Sequence, residues 1–170
     1  TAATRLPMLL AAYHQRYPTV SLSLNTGTSG EIIERVRAGT LAAALVDGPV
    51  VYDELNGCAC FTERLVLISD TAHAPITHAR DASHDTLFAF RPSCSYRKRL
   101  ENWFRQDGVV PGTIMEIHSY HAMLACVASG AGLAMLPYAI LESLPAGARV
   151  QVHELPPDIA TASTWLVWRR

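Results

Sequence analysis

The residues able to do chemistry in this sequence fall into three groups. Cys94 stands in Arg91-Pro-Ser-Cys-Ser-Tyr96, a turn that enters a predicted helix. A helix start lowers a thiol's pKa, and His118 and His121 lie downstream as bases. A cysteine-dependent hydrolase or a thiol redox sensor centred on Cys94 is therefore one chemistry to weigh. A single cysteine with loosely spaced histidines is a weak pattern, and a pocket-lining thiol is the simpler reading. Cys58-Ala-Cys60 is too closely spaced for an ordinary zinc knuckle and has no matching second pair. The seven histidines (14, 73, 78, 84, 118, 121 and 153) are scattered, so no metal site and no cofactor is expected. The third group is Thr26, Thr28 and Ser29 within Asn25–Gly30, hydroxyls gathered at a helix start. The first amides of a helix point outward with a partial positive charge, which suits a bound carboxylate or phosphate. Thr28 and Glu31 also have the spacing of a capping box, so Thr28 has a purely structural reading too.

Those groups need elements to hold them. Val20, Leu22 and Leu24 alternate with Ser21, Ser23 and Asn25, the period of a strand. Ile32, Ile33 and Val36 then mark a helix that Gly39 ends, and Leu41–Val46 reads as a strand covered on both faces. Together these predict a βαβ unit with parallel strands, whose first turn carries Thr26–Ser29 to the carboxyl edge of the sheet, where open α/β sheets bind ligands. Ahead of it, Leu6, Leu9, Leu10, Tyr13 and Tyr17 predict a helix capped by Thr4 and stopped by Pro18, its apolar face directed to the core. Val50–Cys60 reads as a polar connection and Arg64–Ser69 as a strand. Residues 70–85 read as loop. A second α/β series follows: strands at Thr86–Phe90, Thr113–Ile117 and Leu133–Leu136, and helices carrying Leu100, Trp103 and Phe104, then Met123, Leu124 and Val127. Gly108 and Gly130 end those two helices, and Ser119 caps the second. Pro137–Leu144 reads as a short helix, and Arg149–Leu155 and Thr164–Trp168 as closing strands. Arg97, Lys98 and Arg99 read as a solvated helix face, with one of them a candidate anion clamp, and Glu116 or Asp47 as groups that would suit a cationic ligand.

This order predicts an α/β fold of two Rossmann-like lobes, residues 1–69 plus 161–170 and residues 70–160, with a cleft between them. Three turns face that cleft: Thr26–Ser29, Ser93–Tyr96 and Ser119–His121. Each helix start contributes only about 0.3–1 kcal/mol towards an anion, so useful affinity needs several together.

The totals exclude several classes. In 170 residues, 14 Lys plus Arg face 15 Asp plus Glu, a formal charge of -1, which gives no general attraction to nucleic acid or anionic lipid. A transmembrane helix needs about 20 consecutive apolar residues, and no segment has them. The opening TAATRLPMLLAAYHQ lacks the layout of a secretory signal. Four cysteines without a framework point to a reducing, cytoplasmic setting.

Read in register, several stretches resemble one family. They are LPMLLAAYHQRYPTVSLSLNTGTSGEIIERVRAGTLAAALVDGPV, ERLVLIS, LFAFRPSCSYRKRLENWF, IMEIHSYHAMLACVASGAGLAMLP and TWLVWRR. The chain is similar throughout to the effector-binding domain of LysR-type transcriptional regulators. The resemblance implies the type 2 periplasmic-binding-protein fold, here without the first strand and the last helix. It implies a small-molecule effector in the interlobe cleft, no catalysis and no membrane, assembly as a dimer or tetramer, and DNA binding only through an N-terminal domain absent from this chain. Its cleft residues carry over to Thr1, Thr28, Ser29, Cys94, Ser95 and Tyr120, beside Thr26 and His121 from the turns. A solute-binding receptor shares this fold and is the further alternative.

Overall fold

The computed structural model describes residues 4–143 and 149–170. In chain order the elements are α1 (Leu6–Arg16), α2 (Ser29–Arg37), β1 (Ala43–Gly48), β2 (Leu55–Asp70), a 3-10 turn (Ala79–Ala82), β3 (Thr86–Ala89), α3 (Ser95–Gln106), β4 (Thr113–Glu116), α4 (Tyr120–Ala128), β5 (Leu133–Pro137), α5 (Tyr138–Ser143), β6 (Val150–His153), α6 (Pro157–Ala160) and β7 (Thr161–Arg169). Thr1 and the expected helix end at Leu144 lie outside the described residues.

The organising strand is β2. Its first half, Leu55–Arg64, pairs antiparallel with β7, which also pairs antiparallel with β1. Its second half pairs antiparallel with β5 (Leu65–Ile68) on one edge and β6 (Leu67–Asp70) on the other. β3 runs parallel to both β4 and β5. One strand thus passes from a small sheet carrying α2 into a larger sheet covered on both faces. Leu65, Val66, Leu67 and Ile68 are all fully buried, two facing each side. Leu87, Leu100, Phe104 and Leu133 pack on one face, and Phe88, Leu124, Val127 and Leu136 on the other. A separate cluster of Ile32, Val36, Ala44, Val46, Leu55 and Val167 forms the core of the small sheet.

Several expectations fail, most for want of a neighbour and one because an unforeseen neighbour is present. Val20–Leu24 forms no strand: it has no ladder partner among the described residues, and Val20, Leu22 and Leu24 are 40%, 47% and 57% exposed. The parallel βαβ unit therefore does not form, and β1 takes an antiparallel partner, β7. β1 is covered mainly by α2, so its residues alternate in burial and are not enclosed on both faces. Helix α1 buries none of its residues; Met8, Leu9 and Tyr13 lie exposed, and its N-cap is Arg5, not Thr4. Val50–Cys60 is not simply a connection, because β2 begins at Leu55. Pairing with β7 overrides its polar composition, with a bulge between Ala59 and Phe61.

A buried polar joint closes the larger sheet. His153 Nδ1 accepts from the Ile76 amide at 3.1 Å, which places its proton on Nε2, 2.8 Å from Ser69 Oγ. Burial first, and the neighbouring His73 second, hold the His153 pKa below its ordinary 6.5. His73 moves the other way, raised first by its bond to the Ala74 carbonyl and then by Asp85. Above pH 6.5 His153 is neutral folded or unfolded. As pH falls from 6.5 to its folded value, only the unfolded chain takes the proton, so this histidine's contribution to stability is lost across that window. His73 has the opposite sign, stabilising at low pH and losing that contribution as pH rises through its folded value. A histidine NMR titration should place His153 below 6.5 and His73 above, with His153 moving up in His73→Gln. Identical midpoints for the two rings would contradict this arrangement.

Candidate functional site

A cleft of about 430 Å³ opens where the small and large sheets meet. Three helices start at its wall for local reasons. Thr28 precedes α2 in extended conformation, and its amide donates to Glu31 Oε2 at 3.2 Å. This is one arm of the expected capping box; in the other, the Thr28 side chain faces the Glu31 amide. The Thr28 hydroxyl is buried and, after the Thr28 amide, also lowers the Glu31 pKa. Ser29 Oγ accepts from the Asp47 amide at 3.1 Å, which ties the start of α2 to the end of β1. Cys94 precedes α3 without a side-chain cap bond. Ser119 caps α4, its Oγ accepting from the Ala122 amide at 3.4 Å. The Tyr120 ring stands edge-on to Phe90 at 4.9 Å. Burial raises the phenol pKa of both Tyr96 and Tyr120, so both stay neutral donors.

Of the expected site residues, the structure brings together Thr26, Thr28, Ser29, Cys94, Ser95 and Tyr120 on the cleft wall. His121 is exposed and outside it. Asp47, Arg91, Tyr96 and His118 join the wall. Arg91 had the weakest signal, standing before Pro92 in a turn with nothing to mark its direction. Charge is balanced across the cleft. Arg91 Nη1 donates to Glu31 at 2.7 Å, and its Nη2 lies 3.4 Å from His118 Nδ1; His118 Nε2 in turn lies 2.6 Å from Glu116. Arg99 is not the solvated residue its helix suggested. It meets both carboxylate oxygens of Asp47 at 3.3 Å and donates to the carbonyls of Thr161 and Asp158. Arg97 is held by Glu101 and the Phe90 carbonyl. Behind the wall, Glu63 on β2 is 2% exposed, with Arg5 Nε at 3.7 Å.

The arrangement can bind and orient a small polar molecule. Its support for nucleophilic catalysis is poor: among the described residues no histidine hydrogen-bonds Cys94, and His118 is engaged by Arg91 and Glu116. Among the described residues no group of three or more His, Cys, Asp and Glu side chains is placed to hold a metal ion. No described helix is long and apolar enough to cross a membrane.

The sequence profile of the LysR substrate binding domain matches residues 1–170. The chain belongs to that family. It is 32% identical over 170 residues to the HTH-type transcriptional regulator GltR of Bacillus subtilis (strain 168), covering all of this chain and 57% of that protein. It is 33% identical over 159 residues to the HTH-type transcriptional regulator CzcR of the same strain, covering 94% of this chain and 54% of that one. This LysR substrate binding domain thus spans little more than half the length of the regulators it matches. Its fold is shared with the regulatory domain of CcmR from Synechocystis PCC6803 in complex with 2-PG, at TM-score 0.83 and 19% identity, covering 96% of this chain and 81% of that one. It is shared too with the BenM effector binding domain bound to its effector benzoate, at TM-score 0.78 and 20% identity, covering 97% and 77%. These neighbours have the type 2 periplasmic-binding-protein fold, and the two-lobed architecture expected from the sequence is present.

Proposed function

We propose that this LysR substrate binding domain is the sensing part of a cytoplasmic, DNA-binding transcriptional regulator, and that it binds a small polar effector between two lobes. The observation that carries this reading is the cleft wall, where the starts of α2, α3 and α4 converge with hydroxyls and paired charges from both sheets. Thr26, Thr28, Ser29, Cys94, Ser95 and Tyr120 are the proposed contacts. The proposed lobes are residues 1–69 with 161–170, and 70–160, a division supported by the passage of β2 from the small sheet into the larger one. DNA contact belongs to an N-terminal domain outside this chain. The domain acts without chemistry. The exposed apolar residues of α1 support self-association into a dimer or tetramer.

The mechanism is a population shift. An effector moves the lobes only by its differential affinity for their two arrangements. A full switch from 1:99 to 99:1 needs about 5.5 kcal/mol of that difference. A thermal-shift screen against small carboxylates, amino acids, polyamines and phosphates tests the reading. Binding to the native state alone adds about 2.7 kcal/mol at a hundredfold excess over Kd. The expected hit raises Tm and loses its effect in Ser95→Ala. A hit untouched by Ser95→Ala and Tyr120→Phe would place the site elsewhere.

A further inference from the structure

We propose that the cleft takes a small anion and that Glu31 is its built-in competitor, a carboxylate of the chain holding Arg91 until the ligand replaces it. This rests on the reading of the cleft as a ligand site and adds the ligand's charge class and the residue that selects it.

The geometry of Glu31 carries the inference. One carboxylate oxygen accepts from the Thr28 amide at 3.2 Å, in the first turn of α2. The other accepts from Arg91 Nη1 at 2.7 Å. Arg91 belongs to the turn before α3, so a carboxylate already bridges a helix start on one side of the cleft and a guanidinium on the other. The pair is easily exchanged: both side chains are over two-fifths exposed, and such pairs contribute little to stability. The neighbouring cations are committed more firmly. Arg99 has both oxygens of Asp47 and two backbone carbonyls, and Arg97 has Glu101 and the Phe90 carbonyl. Arg91 has one exposed carboxylate and the edge of His118. A ligand anion seated between Arg91 and the first amides of α3 gains a charge-assisted bond without breaking a buried one. The Thr28 amide and Arg91 both hold the Glu31 pKa below its ordinary value, so the competitor is charged at neutral pH.

The two partners of this ion pair should then act in opposite directions, which a merely structural bridge would not produce. Glu31→Gln keeps an acceptor for the Thr28 amide and removes the charge. Arg91→Gln removes the cation. Arg37→Gln, whose partners Glu34 and Glu54 lie away from the cleft, controls for net charge. The probes are inorganic phosphate, glycolate and benzoate as anions, putrescine as a cation and glycerol as a neutral, each titrated by calorimetry. For an anionic probe, Kd should fall about two- to fivefold in Glu31→Gln. It should rise about tenfold or more in Arg91→Gln and stay unchanged in Arg37→Gln. Weaker binding in both variants would make the bridge structural and overturn the proposal. So would a cation that binds the wild type, weakens in Glu31→Gln and tightens in Arg91→Gln; that result would leave the cleft reading intact with its charge class reversed. Binding of any probe that ignores Glu31→Gln, Arg91→Gln and Ser95→Ala alike, or no binding by any probe to wild type and Glu31→Gln, would overturn the cleft reading itself.

Discussion

Gly132→Ala should lower the free energy of unfolding by about 3 kcal/mol or more, the sum of backbone strain and overpacking. Gly132 sits at φ +152°, between the end of α4 and β5. A methyl group there would stand 2.2 Å from the Thr86 carbonyl oxygen and 3.0 Å from its carbon. Both obstacles are backbone, and Thr86 opens β3, whose Leu87 and Phe88 pair with Leu133 and Ala134 of β5. Relief requires the two central strands of the larger sheet to part, and their residues Leu87 and Leu133 are core. Gly130, two residues earlier, makes the contrast. Its φ is +79°, and an added methyl would meet only the Asp70 carboxylate at 3.5 Å. Gly130→Ala should therefore cost about 1 kcal/mol, the backbone term alone. Urea denaturation of both variants with unchanged m-values checks the prediction, and equal losses would show that the close approach to Thr86 carries no energy.

Arg99→Ala should cost about 2–3 kcal/mol and loosen the joint between the lobes. Arg99 and Asp47 are 23% and 13% exposed in their side chains, so the pair is more protected than the surface bridges. The loss leaves Asp47 without its cation at the end of β1 and removes the guanidinium's bonds to the Asp158 and Thr161 carbonyls where β7 begins. Asp47 is also the residue whose amide donates to Ser29, so the same change disturbs the start of α2 at the cleft. Arg99→Lys, with one point charge in place of a planar fork, should recover only part of the loss. Urea melts give the energy, and small-angle scattering gives the spread between lobes. A full recovery by Lys, or a scattering curve unchanged in Arg99→Ala, would refute the role assigned to the fork.

By itself the sequence determined the elements whose signals are local. Leu100, Trp103 and Phe104 fall at helical spacing, as do Met123, Leu124 and Val127, and each set is buried as a face of its helix. Gly39, Gly108 and Gly130 follow helix ends and take the positive φ that other side chains resist. The apolar run within Arg64–Ser69 signalled a strand, and Leu65–Ile68 are fully buried in it. These patterns also named part of the cleft wall, because helix starts carry their own cap and turn residues.

Tertiary structure decided everything that depends on a partner distant in sequence. An alternation such as Val20, Leu22 and Leu24 states which face would be apolar but supplies no strand to pair with, so that segment forms no strand and lies exposed. Cys58-Ala-Cys60 read as connection and is strand, because β7, about a hundred residues later, offers it a ladder. The same holds for charge. Arg91, Arg97 and Arg99 look alike in sequence, yet one meets an exchangeable glutamate, one is held within its own half of the fold, and one joins the two sheets. An arginine's role follows from the groups that surround its guanidinium, and those are assembled only when the two halves of β2 bring their sheets together.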